Sequence, residues 1–166
     1  AVGGGLAALD GDGVDTAKAA AHVAPVTLLL DELRTREVNM YSTFYDAVLG
    51  RLSIAAGQVE QAGAHRSAGL TLAQDTEMHF YDSELLRLRA QTHTDRSAIQ
   101  ADLRAALELA RRQGAALFEL RAALDDFESG GESARAALVA AVGRVPAESW
   151  MRDVARARTV SKQTNG

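Results

Sequence analysis

Asp10, Asp12 and Asp15 stand among glycines near the start of the chain, and acids alternating with small residues are how a calcium loop begins. Such a loop needs a further acid at its fifth position and a glutamate at its twelfth. Val14 and Ala21 stand there instead. The segment reads as a turn followed by a helix N-cap, the places that favour Asp and Gly. His22, His65, His79 and His93 are the next candidates. None has His or Cys three or four residues on, so no helix face offers a metal pair. His79 and Asp82 share a helical face, and a hydrogen bond on or between helices is the expected role. Asp125, Asp126 and Glu128 precede Gly130 and read as a solvated helix end, whereas acid–base catalysis needs a shifted carboxyl in a dry pocket. No Gly-x-x-x-x-Gly-Lys-Ser/Thr loop occurs. Neither catalytic residue, metal nor cofactor is expected, and the chain does not read as an enzyme.

The residues left for recognition are aromatic and basic. Tyr41, Phe44, Tyr45, Phe80, Tyr81 and Phe118 carry most of the ring surface. They can fill the interface between paired helices, or present ring edges to a ligand as aromatic anchors do. Arg51 and Arg87 recur at equivalent positions, as do Asp46 and Asp82. Salt bridges between neighbouring hairpins are one reading, a polar groove wall the other. Candidate groove or partner-binding residues are therefore Tyr41, Tyr45, Arg51, Tyr81, Arg87 and Phe118.

Repetition shows what must position these residues. Phe44, Tyr45, Asp46, Leu49, Arg51 and Leu52 return thirty-six residues later as Phe80, Tyr81, Asp82, Leu85, Arg87 and Leu88. Ala68, Leu70, Leu72 and Ala73 return at an offset of thirty-seven as Ala105, Leu107, Leu109 and Ala110. A period of this length in helical sequence implies stacked helical hairpins. Apolar residues three and four apart mark the helices. The first clear stripe is Tyr41, Phe44, Tyr45, Val48, Leu52 and Ala55. Gly57 breaks it from Val59, Ala62, Leu70 and Ala73. Tyr81, Leu85 and Leu88 follow, then Ile99, Leu103, Ala106, Leu107 and Ala110. Gly114 after Arg111 and Arg112 predicts a C-terminal stop. Leu117, Leu120, Leu124 and Phe127 form the next helix, ended by Gly130-Gly131, with Ala134, Leu138, Ala141 and Val142 beyond.

The ends carry their own expectations. A helix from about Asp15 is predicted, kinked or split by Pro25. Pro146 is expected to start a last short helix on which Trp150, Met151 and Val154 cover the stack while Arg144, Arg152, Arg156 and Arg158 face solvent. The expected fold is all-α, a right-handed solenoid of antiparallel helical hairpins with a C-terminal capping helix. It forms one domain over 1–160, with hairpins near 1–36, 39–75, 78–113 and 115–143, a cap over 147–159 and a disordered tail over 161–166.

Composition agrees. Of 166 residues 47% are hydrophobic, much of that alanine, and only 5% aromatic. Alanine is the best helix former, and no alternating Val/Ile/Thr run predicts a strand. Twenty-two acids against 18 bases give a net charge of −4 without a basic block, which argues against nucleic-acid binding. No apolar run is long enough for a membrane span. The absence of cysteine suits a cytoplasmic protein. The first residues lack the basic start of a signal peptide, and without an initiator Met the chain reads as a segment of a longer protein.

Two stretches carry a resemblance: Arg104-Ala105-Ala106-Leu107-Glu108-Leu109-Ala110-Arg111-Arg112-Gln113-Gly114-Ala115 and Phe80-Tyr81-Asp82-Ser83-Glu84-Leu85-Leu86-Arg87-Leu88-Arg89. Together they resemble the tetratricopeptide-like C-terminal region of large bacterial multidomain regulators, over roughly 15–160 and most strongly over 80–127. In such proteins an ATPase core precedes the repeats, often with an adenylate-cyclase-like or a LuxR-type DNA-binding domain. The chain departs from the repeat pattern at Ala62 against Ile99, at Arg66 where a large apolar residue is usual, and in the short turn Thr92-His93-Thr94-Asp95. The resemblance implies a non-catalytic interaction or regulatory module. Its partner would be a protein or peptide, including other domains of its own chain, or another copy through an uncapped N-terminal end. The alternative is a sensor of a small effector that controls an attached ATPase, cyclase or DNA-binding unit.

Overall fold

The structure, a computed structural model, describes residues 15–162. The expected turn at Asp10–Gly13, the expected helix stub before it and the expected uncapped N-terminal end lie outside the described residues. Among the described residues there are eight α-helices and two short 3-10 turns, and no strand. No helix among them is long and apolar enough to cross a membrane. The chain divides between Thr92 and His93 into two compact units, where the sequence reading drew one domain.

The first unit contains four described helices. Helix α1, Thr16–Thr35, starts where the Asp15 carboxylate accepts the Ala17 and Lys18 amides at 3.0 and 3.1 Å, the favoured N-cap chemistry. Pro25 does not split it: the helix runs unbroken through that position. A 3-10 turn over Asn39–Tyr41 leads into α2, Ser42–Ala55. Helix α3 spans Val59–Thr76 and α4 spans Asp82–Ala90. Ala19, Val26 and Leu30 of α1 form one stripe buried against Val48, Leu49 and Leu52 of α2. Ala47 meets Leu85 and Leu88 on α4. Gly50 lies against Arg66 and Asp46 against Gly69, so α2 and α3 run antiparallel, turned by Gly57 at φ +76°. That close approach is what the small residues allow.

The second unit continues with α5, Arg96–Gln113, α6, Ala116–Gly130, a 3-10 turn over Gly131–Ala134, α7, Arg135–Val142, and α8, Arg152–Lys162. Asp95 caps α5 by accepting the Ala98 amide at 2.9 Å. Gly114 takes φ +66° and its amide turns back to Ala110 and Arg111, so the expected stop stands there and satisfies otherwise orphan carbonyls. Two other helix ends enter the left-handed region without glycine. Glu37 and Glu77 adopt left-handed conformations after α1 and α3, at φ 58° and 56°. The core of this unit is leucine and alanine: Leu103, Ala106, Leu107 and Ala110 of α5, Leu120, Ala123 and Leu124 of α6, Leu138 and Ala141 of α7.

The C-terminal helix differs from expectation. It begins at Arg152, five residues later than the 147 drawn from Pro146, and it includes Ser161 and Lys162, which the sequence reading left in the tail. Residues after Pro146 form a turn, with the Ser149 amide donating to the Pro146 carbonyl at 3.1 Å. Trp150 directly follows that turn and is 91% exposed, so it is not the covering residue. Val154 and Ala157, both fully buried, hold α8 in the unit instead. The arginines are engaged as well. Arg156 pairs with Glu128 at 2.8 Å, and Arg158 donates to the Pro146 carbonyl at 2.7 Å. Arg121 on α6 donates to Asp153 at 2.6 Å, and Arg135 on α7 reaches the Val160 and Ser161 carbonyls at 3.3 Å, closing the end of α8. Truncation after Val145 is expected to destabilise the second unit, because it uncovers the surface under Val154 and Ala157. Trp150 of the intact protein is expected to emit as a solvated indole and to be readily quenched by acrylamide. A blue-shifted, protected Trp150 would contradict the turn.

Candidate functional site

The rings of the first unit form a chain. Phe44 packs edge-on against Tyr45 and against Tyr81, with centroids 5.1 and 5.3 Å apart, and Phe80 meets Tyr81 in the same way at 5.4 Å. Edge-to-face pairs at these distances add stability beyond their buried area. Helix α2 presents Phe44 and Tyr45, and the start of α4 presents Tyr81. Tyr45 and Tyr81 are thus half-buried packing rings. Tyr41 and Phe80 are the open ones, 55% and 44% exposed. Arg51 on α2 is half-buried. Arg87 is not a groove residue: it is buried and grips Glu84 with two hydrogen bonds, both 2.9 Å. Phe118 belongs to α6 in the second unit, half-buried.

The acids that repeat with these rings diverge in their partners. Asp46 is fully buried, and Arg34 on α1 donates to both its oxygens at 2.9 Å, while His65 on α3 lies 3.8 Å away. Its counterpart Asp82 takes His79 at 2.9 Å. Burial pushes the Asp82 carboxyl up, with the His79 hydrogen bond opposing. In the second unit His93 pairs with Asp102 at 3.0 Å. In the acidic run of α6, loss of water raises the Asp126 and Glu128 carboxyls, with Arg104 and Arg156 opposing.

Two carboxylate–arginine clusters were not foreseen as such. In the first unit Arg66 on α3 is fully buried. Its Nη2 donates to the Gly50 carbonyl at 3.0 Å, but Nε and Nη1 meet no acceptor among the described residues. Loss of water, with the like charge of Arg87 and against the opposite charge of Glu84, lowers its pKa to about 9. The sequence signal was Arg66 itself, an arginine at a position read as apolar. In the second unit Glu119 on α6 is 2% exposed and accepts from Arg111 on α5 at 2.7 Å and from Arg144 just after α7. Burial pushes its carboxyl up, but hydrogen bonds and charge from the two arginines outweigh that and hold it below the usual range. These three residues, with Gly114 and Ala116, line a cleft of about 210 Å³.

Gly50 is the device that admits Arg66. A methyl there would sit 2.8 Å from Arg66 Nε and 3.1 Å from its Cγ, and a fully buried side chain cannot swing aside. Alanine in mid-helix would ordinarily gain up to about 1 kcal/mol over glycine. Gly50→Ala is nevertheless expected to cost about 1–3 kcal/mol in chemical denaturation, as overpacking does. A stabilised Gly50→Ala protein would show that the contact yields.

Compared with known proteins, the chain matches no family model, no curated protein and no solved structure.

Proposed function

We propose that this chain is a non-catalytic interaction module of a tetratricopeptide-like helical-repeat kind, belonging to a larger bacterial regulator, and that it binds a protein or peptide partner. The observation that carries the reading is the ring chain of the first unit, in which packed Tyr45, Phe44 and Tyr81 support the open ring of Phe80, with the open Tyr41 in the 3-10 turn that leads into α2. Rigid rings held by their neighbours bind at low entropic cost and are the usual anchors of interfaces. The antiparallel pairing of α2 with α3 and the thirty-six-residue repeat support the hairpin reading; the regulator context rests on the sequence resemblance. Selection from a random peptide library against the full chain tests it. Selected peptides are expected to bind saturably, and at least tenfold more weakly to Tyr41→Ala and Phe80→Ala proteins of unchanged helicity. Failure to select any saturable peptide, or equal binding by both variants, would overturn it.

A second reading, a sensor of a small effector, is favoured by the arginine-lined cleft of the second unit. A thermal-shift screen of metabolites tests that reading in general, since a ligand of the folded state raises stability by mass action. A screen without a hit would remove it.

A further inference from the structure

The geometry points to a binding site for a small phosphate-type oxyanion in the cleft lined by Arg111, Gly114, Ala116, Glu119 and Arg144. The site deepens the effector reading by naming a ligand class. It does not depend on the peptide reading, which concerns the first unit.

Charge is the first argument. Two guanidinium groups share one carboxylate, so the cluster keeps a surplus positive charge. Both clusters of this kind among the described residues have that surplus, but they differ in access. Arg66 and Arg87 are buried, whereas the Arg111 and Arg144 side chains are 40% and 52% exposed beside open space. A ligand can reach only the second kind.

Preorganisation is the second argument. Arg111 engages Glu119 through Nε and Arg144 through Nη1. A nearly fully buried acceptor therefore fixes two planar donors from different segments, α5 and the turn after α7. Their outer N–H edges are the groups that match phosphate or carboxylate oxygens. Glu119 acts here as a positioning residue, and its charge offsets the repulsion between the two arginines.

The rest of the wall adds positive potential. Ala116 opens α6, a fifteen-residue helix whose N-cap, Ala115, supplies no side-chain cap. The positive end of a helix carries roughly half a charge, which brings the local surplus to about one and a half, near the charge of a phosphate monoester at neutral pH. The negative end of α5 is offset by the Gly114 and Ala115 amides, which turn back to Ala110. At Gly114 a side chain would meet nothing within 4 Å, so the cleft is open there.

Calorimetry on the full chain with inorganic phosphate, against sodium chloride at matched ionic strength, tests the site. Saturable heat is expected with phosphate. Arg144→Gln should weaken it at least tenfold, and Arg156→Gln, an arginine of the same unit paired with Glu128 outside the cleft, should leave it unchanged. Should Arg144→Gln lose helicity, Arg144→Lys replaces it: the charge stays but the planar donor edge goes, and binding should fall severalfold. A phosphoserine peptide run beside free phosphate distinguishes a small-molecule source from a peptide-borne one, and saturation by either supports the site. Acetate binding as tight as phosphate, heat no larger than in chloride, or phosphate binding indifferent to the Arg144 variants would overturn the assignment.

Discussion

Glu84→Gln is expected to cost about 3–5 kcal/mol of folding stability. The change is nearly isosteric, so packing is not the cause. Glu84 is 3% exposed and carries the negative charge between two buried guanidiniums, Arg87 bonded to it and Arg66 within its field. Glutamine can still accept a hydrogen bond from Arg87, but it removes the negative charge that faces two buried guanidiniums. Removing one member of a buried pair is far more costly than replacing the pair, because the remaining charge has already left water. The urea midpoint gives the measurement, with unchanged slope to show that the transition itself is the same. The cost should shrink when Arg66→Met is added, since then only one guanidinium faces the neutral amide; neighbours sharing a network couple by about 0.5–3 kcal/mol. A Glu84→Gln protein as stable as the parent would mean that the cluster is open to water.

These clusters also mark where the sequence stopped being legible. Helical periodicity placed the stripes well. Leu49, Leu52, Leu85 and Leu88 of the thirty-six-residue repeat are all buried, and Gly57 and Gly114 turn the chain where expected. Local signals of that sort depend on neighbours along the chain. The ends at Glu37 and Glu77 had no such signal, because a glutamate in the left-handed region is held by its surroundings and not by its own preference. Trp150 misled for a related reason. Four residues before Val154, it fits an apolar stripe, yet the Arg158 bonds to the Pro146 and Ser149 carbonyls keep its segment in a turn. Arg87 looked like a groove wall because arginine is usually exposed. Its burial beside Arg66 follows from α2, α3 and α4 meeting in space, with Gly50 and Gly69 letting the backbones close, and no periodicity reveals that.

Arg66→Met is expected to stabilise the protein by about 1–4 kcal/mol at pH 7. Methionine fills much of the same space, adapts to irregular gaps and needs no partner. The lost hydrogen bond from Nη2 to the Gly50 carbonyl is small beside the relief of a buried charge with two unmet donors. Glu84 and Arg87 remain as a neutral pair, so no charge is orphaned. The pH dependence identifies the cause. Arg66 has a folded pKa of about 9, well below the ordinary value of an arginine. Below pH 9 both folded and unfolded chains hold the proton, and the full penalty of the buried charge applies. Between those two values the unfolded chain binds the proton that the folded chain has released, so the parent protein gains stability from this group as pH rises. The advantage of methionine should therefore be constant from pH 7 to pH 9 and shrink above it, by about 1.4 kcal/mol per pH unit. Denaturation of both proteins at pH 7, 9 and 10 reads this directly, and the difference between them cancels every group they share. A methionine variant less stable than the parent at pH 7, or a difference that ignores pH, would mean that the Arg66 donors find acceptors in solution and that the charge is not stranded.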